Sequence, residues 1–304
     1  RRDLPRQRGA RRRDRRRLVT GVLGSLGDLV EDIVVGLSEP LAIGTDAAGD
    51  IVRTRGGSAA NVASAAARLG RVPARYLGCV GPDATGDGLV AGLERDGVDV
   101  QVQRRGCTGA IVIIVEPGGE RTMVPNRGAS ILLEPIADDW LDGLAVLHVP
   151  AYGFCAEPIA TTALDALRRA RERGVTTSID ASSVGMLRTY GRDRIRALLA
   201  ELSPDHLIAN SDEAEFLGLE EPGYLPYTTL VVKHGSAPTA ARPPGGDWLE
   251  VPVGPVEEVR DTTGAGDAFA AGYLSAVILH EDIATACAAG NASAAHALGR
   301  SGAL

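Results

Sequence analysis

The sequence predicts an α/β fold, a Rossmann-like three-layer α/β/α sandwich with a mostly parallel central sheet and a small β-lid. From residue 18 onward, short β-rich runs alternate with helical patterns, which is typical of βαβ units. Hydrophobic residues make up 44% of the 304 residues and charged residues 23%, which excludes a mainly disordered, collagenous or coiled-coil chain. The length allows one large domain or two small ones, and the continuous alternation favours one.

The predicted elements follow this alternation along the chain. Clusters of β-branched residues between turn residues predict strands. These are Val19–Leu23, Arg75–Val80, Val98–Arg104, Ala145–Val149, Thr176–Asp180, His206–Ala209 and Thr229–Lys233. Apolar residues recurring every three to four positions predict helices. These are Ser58–Leu69, Thr85–Arg95, Pro158–Arg173, Arg192–Leu202, Asp212–Leu217, Ala265–Leu279 and Ile283–Leu298.

Two segments interrupt the alternation and predict the lid. One is Leu29–Val35, and the other is the alternating run Ala110–Val115, a Pro-Gly-Gly turn, and Glu120–Val124, which is typical of a hairpin. The lid is therefore expected at about residues 29–55 and 106–127. An apolar edge on Ala110–Val115 would need covering, so we expect a homodimer formed through the lid.

Composition excludes several other classes of protein. No uncharged, strongly apolar stretch of the sequence, Ala110–Val115 among them, reaches the ~20 residues of a membrane-spanning helix. The four cysteines are scattered without a Cys-x-x-Cys pair or clustered histidines, so neither a zinc site nor a disulfide framework is indicated. This pattern favours a reducing, cytoplasmic location.

The first 17 residues form a separate basic segment. They contain ten arginines and two aspartates, a net charge of +8, which leaves −15 on residues 18–304. We interpret this segment as a solvated, disordered tail. Nucleic-acid binding through phosphates is an alternative, but no aromatic side chain is present to stack on bases, so we do not expect it. A signal peptide is a third interpretation, which Gly21, Gly24 and Gly27 disfavour because they interrupt the apolar stretch.

The glycine-rich stretch Asp261-Thr262-Thr263-Gly264-Ala265-Gly266-Asp267 runs directly into an apolar helix. Consecutive backbone N–H groups of such a turn, together with the helix N-terminus, favour an anion such as a phosphate. A carboxylate at Asp267 would then serve to accept a proton, for example from an attacking alcohol. The alternative is an aspartate that merely favours the first turn of a helix.

Four motifs together resemble the signatures of the ribokinase-like (PfkB) carbohydrate kinases. Along the chain they are Gly56–Ala63, Gly78–Gly86, Asn210–Glu213 and Asp261–Gly272, which is the order and spacing of that family. The resemblance extends from about residue 20 to the end of the sequence and implies a ribokinase-like kinase domain over residues 18–304. The common P-loop and protein-kinase motifs are absent.

The resemblance implies transfer of the γ-phosphoryl group of ATP to a hydroxyl group. Asp267 matches the catalytic base of the family, and the N–H groups of Gly264, Ala265 and Gly266 match its anion hole. An aspartate of ordinary basicity suffices, because a loose transition state needs deprotonation of the nucleophile only late.

Other positions match the binding residues of the family. Asn210 and Glu213 match the motif that holds Mg²⁺ through water, although Asn210 before a helix is also a good N-cap. Asp32, Gly56, Gly57 and Asn61 match the sugar-binding residues, although a plain turn would also explain the glycine pair.

The nucleotide is expected at the loop after the strand Thr229–Lys233. Lys233 and Gly235 match this loop and Asn291 matches a residue near adenine, although a lysine at a strand end is usually only solvated. Asp261 and Thr263 match part of a monovalent-cation site, which makes K⁺ an additional cofactor beside ATP and Mg²⁺.

The substrate is less constrained by the sequence. Arg127 would reach a carboxylate or phosphate of a substrate, unless it is a simple surface arginine. His148, Tyr152, Phe154 and Asp180 lie at strand ends, where open α/β sheets bind ligands. Because few aromatic side chains are available to stack on a base, we favour a sugar or sugar acid over a nucleoside. A nucleoside kinase and a non-catalytic sugar sensor remain alternatives.

Overall fold

The computed structural model describes residues 21–41, 43–256, 259 and 262–299. The basic segment 1–17 and Asp261 lie outside these described residues, so the predictions made for them stay predictions. In the part of the chain that is described, no helix combines the length and the apolar character needed to cross a membrane.

Thirteen strands are present in the described residues. They are β1 (Val22–Gly27), β2 (Val30–Leu37), β3 (Gly49–Gly56), β4 (Ala74–Val80), β5 (Asp99–Arg104), β6 (Thr108–Val115), β7 (Arg121–Gly128), β8 (Leu144–Pro150), β9 (Thr176–Asp180), β10 (His206–Asn210), β11 (Thr229–His234), β12 (Ala237–Arg242) and β13 (Leu249–Val251).

Eight α-helices accompany these strands in the same ranges. They are α1 (Ser58–Leu69), α2 (Ala84–Arg95), α3 (Ile159–Glu172), α4 (Val184–Tyr190), α5 (Arg192–Leu202), α6 (Ser211–Leu217), α7 (Ala265–Ile278) and α8 (Ile283–Leu298). Short 3₁₀ helices span Ala129–Leu132, Asp138–Leu141 and Ala151–Phe154.

The large sheet has the strand order β13-β12-β11-β10-β9-β8-β1-β4-β5. The pairs from β11 to β5 are parallel, and β12 and β13 continue the sheet in antiparallel pairing. This confirms the predicted α/β fold with a mostly parallel sheet.

Apolar layers on both faces bury this sheet. Successive residues of a strand point to opposite faces of the sheet. Leu26 therefore packs toward α3 and α5, while Leu23, three positions earlier, packs toward α1, α7 and α8. Both side chains are fully buried, which contributes about 1.5–3 kcal/mol for each. The three-layer arrangement thus follows from strands that are apolar on both faces.

The second, small sheet has the order β3-β2-β6-β7. β6 runs parallel to β2 and antiparallel to β7, and Gly119 closes the β6–β7 hairpin in the left-handed region with φ 86°. β6 therefore lies inside the sheet, and the prediction that Ala110–Val115 forms an exposed edge is wrong. The edges are β3 and β7, where Ile51, Val52 and Met123 are more than half exposed.

Several elements differ from the prediction. The first strand begins at Val22 and continues to Gly27, because Gly24 is required where a Cβ atom would lie 2.7 Å from the Leu144 side chain. The predicted strand ended at Leu23, whereas here Gly24 continues it and allows close packing. β3, β12, β13 and α4 were not predicted, because charged or small residues obscure their patterns.

Candidate functional site

The carboxyl ends of the parallel strands open into a cavity of about 740 Å³ beneath the lid. From β1, the strands β4 and β5 follow on one side of the sheet, and the strands from β8 onward follow on the other side. The direction in which strands are added therefore reverses at β1, and the cavity lies at this point. Such switch points are where open α/β sheets bind ligands. The predicted site residues that line it are Asp32, Gly57, Asn61, Arg127, Asn210, Glu213, Lys233, Thr263, Gly264, Gly266 and Asp267.

Asp267, in the first turn of α7, is held by two side chains from α1. Ser58 Oγ donates a hydrogen bond to its Oδ1 (2.7 Å), and Asn61 Nδ2 donates one to its Oδ2 (3.0 Å). Burial raises the pKa of the Asp267 carboxyl to about 7, although these two hydrogen bonds oppose the shift. Asp267 is thus a fixed carboxylate whose pKa suits proton transfer near neutral pH.

The turn before Asp267 is shaped by Gly264, which caps α7 in the left-handed conformation with φ 77°. The first N–H groups of a helix lack partners within the helix, so this end can bind an anion. The N–H of Ala265 makes only a long hydrogen bond to the Thr262 carbonyl (3.4 Å). A Cβ atom at Gly266 would lie 3.3 Å from Lys233 Nζ, which shows how closely a cation approaches the turn.

The floor of the cavity carries two buried acceptors that lack donors. Asp32 Oδ1 and Asn61 Oδ1 have no hydrogen-bond partner in the described part of the chain. Burial and the nearby Asp28 raise the pKa of Asp32 to about 6. Gly56 does not line the cavity itself, but a Cβ atom there would overlap the Asp32 carboxylate. Unsatisfied buried acceptors are costly, so this floor is suited to a ligand that supplies hydroxyl donors.

Gly57 provides a test of this floor. Its φ is 102°, and a Cβ atom would lie 2.7 Å from the Asp28 carbonyl carbon. We expect Gly57→Ala to lower the free energy of unfolding by about 3 kcal/mol, measured by urea denaturation. Gly70→Ala is the matched control, since Gly70 also has a positive φ (64°) but open space around it, and should cost only about 1–2 kcal/mol. Equal losses would contradict the close approach.

Asp28 is a cavity residue that sequence reasoning missed. Arg127 Nη1 donates a hydrogen bond to Asp28 Oδ2, and the Arg127 guanidinium lies 4.0 Å from the centroid of the Tyr152 ring. Arg127 therefore reaches the cavity, as predicted, but already has an anionic partner. The signal for Asp28 was available, because Asp28 directly follows the end of β1 as Asp180 ends β9.

Asn210 and Glu213 form a capping box at the start of α6. The Asn210 side chain accepts from the Glu213 N–H (2.9 Å), and Glu213 Oε2 accepts from the Asn210 N–H (2.8 Å). The capping interpretation is therefore correct, and both residues also line the cavity. Burial and the nearby Asp180 raise the pKa of Glu213 to about 7.

The carboxylates of Glu213 and Asp180 fit a magnesium ion whose other ligands are water and substrate phosphates. Within the described ranges, no cluster of three or more His, Cys, Asp or Glu side chains could hold a metal alone. Mg²⁺ commonly binds through one or two carboxylates, with water and substrate phosphates completing its shell. Glu213 and Asp180 provide that donor type at the edge of the cavity.

Lys233 lies near the end of β11, between Asp180 and the turn at the start of α7. Its Nζ donates to Asp180 Oδ2 (3.0 Å) and lies 5.8 Å from the centroid of the Phe269 ring. Burial lowers the pKa of Lys233, but Asp180 and Glu213 more than offset this and hold it above its usual value. Lys233 is thus a partly buried, ion-paired cation and not the solvated strand end considered above.

A second cavity of about 810 Å³ adjoins the first. Its walls include Phe269, Val253 and Leu298, which provide an apolar surface for a planar group. The predicted residues that line it are Gly235, Ala265 and Asn291, and it shares Asn210, Lys233 and Gly266 with the first cavity.

Three predicted positions make contacts within the protein. The Asn291 amide accepts from Thr239 Oγ1 (2.7 Å) and donates to the Pro252 carbonyl (3.3 Å), so it positions the wall of the second cavity. Of the strand-end residues, His148 is fully buried beside Ser178 Oγ (3.0 Å) and Phe154 lies in the apolar core; neither lines the first cavity.

Thr263, proposed above as part of a cation site, contacts the lid. Its Oγ1 accepts a hydrogen bond from Arg121 Nη1 of β7 (2.7 Å). Its predicted companion Asp261 lies outside the described residues. A lid side chain thus reaches the turn at the start of α7 directly.

Comparisons with known proteins agree with this geometry. Residues 28–304 match the model of the pfkB family carbohydrate kinases. The chain is 34% identical over 259 residues to the ATP-dependent ribose-1-phosphate kinase of Halopiger xanaduensis, covering 82% of this chain and 81% of that protein. It is 31% identical over 284 residues to a fructokinase of Klebsiella pneumoniae, covering 86% of each chain. Adenosine kinase from Sinorhizobium meliloti superposes with a TM-score of 0.80 at 25% identity, covering 93% of this chain and 95% of that one.

Proposed function

The chain belongs to the pfkB family of carbohydrate kinases, and from this premise we propose that it transfers the γ-phosphoryl group of Mg-ATP to a hydroxyl group of a sugar or sugar acid. The observation that carries this proposal is the meeting of two cavities at the start of α7. They share Asn210, Lys233 and Gly266, so a nucleotide in one would direct its phosphates toward a ligand in the other.

In this proposal Asp267 is the base. Its carboxylate lines the first cavity directly after the shared Gly266, is fixed by Ser58 and Asn61, and accepts the proton of the attacking hydroxyl. The turn at Gly264–Gly266 and the ammonium of Lys233 bind the negative charge that develops on the transferred group. Mg²⁺ bound near Glu213 would neutralise phosphate charge.

The substrate side favours a polyhydroxylated molecule. Among the described residues, Asp32 Oδ1 and Asn61 Oδ1 are acceptors without donors, which two sugar hydroxyls would satisfy. Arg127 would share its remaining donors with a carboxylate or phosphate, so a sugar acid or a sugar phosphate fits beside Asp28. The likeness to a ribose-1-phosphate kinase adds sugar 1-phosphates to the candidates.

A nucleoside is the second candidate, favoured by the similarity to an adenosine kinase. Against it, one face of each tyrosine ring at this cavity is covered by a guanidinium: Arg127 covers Tyr152, and Arg194 covers Tyr190 at 4.3 Å. Stacking of a base would have to use the other faces or displace these cations.

The experiment that tests the proposal is ADP release with Mg-ATP against pentoses, hexoses, 2-keto-3-deoxy acids, sugar 1-phosphates and nucleosides. We expect turnover with a sugar, sugar acid or sugar phosphate. Preference for a nucleoside would select the second candidate. No turnover, together with stabilisation by sugars in thermal melts, would contradict a kinase and support a sugar sensor on this fold.

The pH profile should show the titration of Asp267. Because the base must be ionised, kcat/KM should rise with pH through about 7 and be constant above it. Ser58→Ala removes a hydrogen bond that lowers the pKa of Asp267, so the midpoint should move to higher pH by about 1 unit. Ser293→Ala, whose Oγ bonds within α8, is the control and should leave the midpoint unchanged. An unchanged midpoint in Ser58→Ala would contradict the assignment.

Assembly through the lid is a separate proposal. The exposed apolar residues Ile51, Val52, Met123 and Val124 lie on the two edge strands of the small sheet, which a second copy would cover. We expect a dimer by light scattering, and Ile51→Lys to shift it toward monomer. A monomer at high micromolar concentration would contradict the proposal.

Two further expectations accompany the proposed kinase activity. We place the activity in the cytoplasm, where ATP is available and where the free cysteines Cys107 and Cys155 would stay reduced. K⁺ beside Thr263 and Asp261 would add to turnover, and replacing K⁺ by tetramethylammonium without loss of rate would contradict it. We expect no binding to nucleic acid or membranes.

A further inference from the structure

The first cavity has one wall that the proposed chemistry does not use. It is formed by α4 and the first turn of α5, and we call it the α4 wall. Its lining residues are Ser183, Gly185, Met186, Thr189, Tyr190 and Arg194. The carboxylates that line the cavity belong to other elements, so among the described residues Arg194 is the charged group of this wall.

Arg194 also differs from the other cations of the cavity. Among the described residues these are Arg127 and Lys233, and each of them pairs with an aspartate. Arg194 has no carboxylate partner in the described part of the chain; its Cζ lies 4.3 Å from the centroid of the Tyr190 ring. The cavity therefore contains one guanidinium whose charge is not balanced by a neighbouring acid.

The position of Arg194 on α5 explains why it lacks such a partner. Arg192 and Arg196, one turn apart on the helix, both pair with Glu221 (2.9 and 2.7 Å). Residues two positions apart on a helix do not face the same side, so Arg194 lies away from Glu221 and lines the cavity instead. The helix thus directs the middle arginine of the three toward the ligand.

The turn after β9 fixes the α4 wall next to the reacting groups. Ser182 has a φ of 68°, and its N–H donates to Asp180 Oδ1 (2.7 Å). Its Oγ accepts from the Ala151 N–H (3.0 Å), which ties this turn to the segment after β8. The Tyr190 ring covers one face of the Arg194 guanidinium and leaves the N–H donors at its edge free. A group held in this way loses little freedom when it binds a ligand.

We propose that Arg194 is a specificity-determining residue that binds an anionic group, a carboxylate or a phosphate, carried by the sugar substrate itself. The inference rests on the proposed function, because it takes Asp32 and Asn61 as the floor that binds the hydroxyl groups of the same molecule. A guanidinium matches either anion with paired N–H donors. A neutral sugar would leave the charge of Arg194 without a partner.

The size of the cavity and the lid favour such a substrate. A volume of about 740 Å³ is in the range of pockets that enclose drug-sized molecules, so a sugar on the floor leaves room for a further group. Met123 and Pro125 of the lid line the same cavity, and apolar side chains around the ligand would exclude water. A charge pair shielded from water is stronger than one on an open surface.

The test is calorimetric titration of the full chain with ribose and glucose, with their aldonates and with their 1-phosphates, at constant ionic strength. A non-hydrolysable ATP analogue with Mg²⁺ is present throughout, so that the anion hole at α7 is occupied. We expect an anionic derivative to bind about tenfold more tightly than its neutral parent, the effect of one charge-assisted contact. Preference for an aldonate would identify a carboxylate, and preference for a 1-phosphate would identify a phosphate.

Variants assign this preference to the α4 wall. Arg194→Gln should lower the affinity for the anionic sugar to that for its neutral parent and leave the affinity for the neutral sugar unchanged. Arg194→Lys keeps the charge but loses the paired donors, so it should weaken binding of the anion only about threefold. Arg188→Gln is the matched control, because Arg188 is an exposed arginine of α4 that lines neither cavity, and it should have no effect.

Two results would overturn the inference. One is that no anionic derivative binds more tightly than its neutral parent, or that none binds at about 10 mM. The other is a preference for an anion that persists in Arg194→Gln; its loss in Arg127→Gln would then assign the anion to Arg127. Because this measurement needs no turnover, a panel of sugars without ADP release would contradict the proposed function and leave the binding result unaffected.

Discussion

Asp267→Asn is expected to lower kcat by about 10²–10⁴-fold, the usual contribution of a positioned general base. The amide has nearly the shape of the carboxylate but cannot accept the proton of the attacking hydroxyl. Ser58 Oγ can still donate to the amide oxygen, but the new amide nitrogen faces the Asn61 Nδ2 donor, so the fold should be retained with a small loss of stability. The measurement is steady-state turnover with the substrate identified from the panel, together with a thermal melt.

Asp193→Asn is the matched control for this prediction. Asp193 also lies in the first turn of a helix, α5, but is exposed and outside both cavities. If Asp267 merely favoured the start of its helix, both variants would lose about 0.3–1 kcal/mol of stability and keep their activity. Equal activity of the two variants would therefore contradict the role of Asp267 as the base.

Lys233→Met is expected to lower kcat by about 10²–10³-fold, the range found when a preorganised donor to a developing charge is removed. Lys233 Nζ lies at the junction of the two cavities, close to Gly266 at the start of α7. An ammonium there would attract the transferred phosphoryl group more strongly as charge develops. In steady-state kinetics the lower kcat should be accompanied by an increased KM for ATP.

The substitution also leaves Asp180 buried without its partner, which by itself would reduce stability. The double variant Lys233→Met/Asp180→Asn separates the two effects. Because Asp180 is also a carboxylate donor for Mg²⁺, the double variant is compared with Asp180→Asn alone. If the cation is needed for transfer, the double variant should recover stability and turn over more slowly than Asp180→Asn. Equal turnover of these two variants would show that Lys233 serves only to pair with Asp180.

The fold could be predicted where local patterns agree with burial. The strands Thr176–Asp180 and Thr229–Lys233 are rich in β-branched residues and largely buried, and their observed bounds differ from the prediction by at most one residue. β3 could not be predicted in this way, because the sequence Gly-Asp-Ile-Val-Arg-Thr-Arg-Gly is mostly exposed and its pairing with β2 supplies the order. For such edge strands, tertiary pairing decides the conformation.

The site residues likewise divide into those that local sequence patterns indicate and those that depend on contacts across the fold. Motif order identified Asp267, Asn61 and Glu213 as candidates, because glycine turns and helix starts are encoded locally. Ser58 and Asp28 were missed, since their roles depend on contacts across the fold: Ser58 lies 209 residues from Asp267, and Asp28 lies 99 from Arg127. No local pattern specifies such contacts before the sheet order is known.

The most direct test of the account is a phosphorus NMR spectrum of the reaction with Mg-ATP and the best substrate of the panel. The proposed transfer predicts a new phosphate monoester signal, equal in amount to the ADP formed and appearing at least about 10²-fold more slowly with Asp267→Asn. ADP accompanied only by inorganic phosphate, or an ester formed equally well by Asp267→Asn, would contradict direct transfer to a sugar hydroxyl with Asp267 as the base.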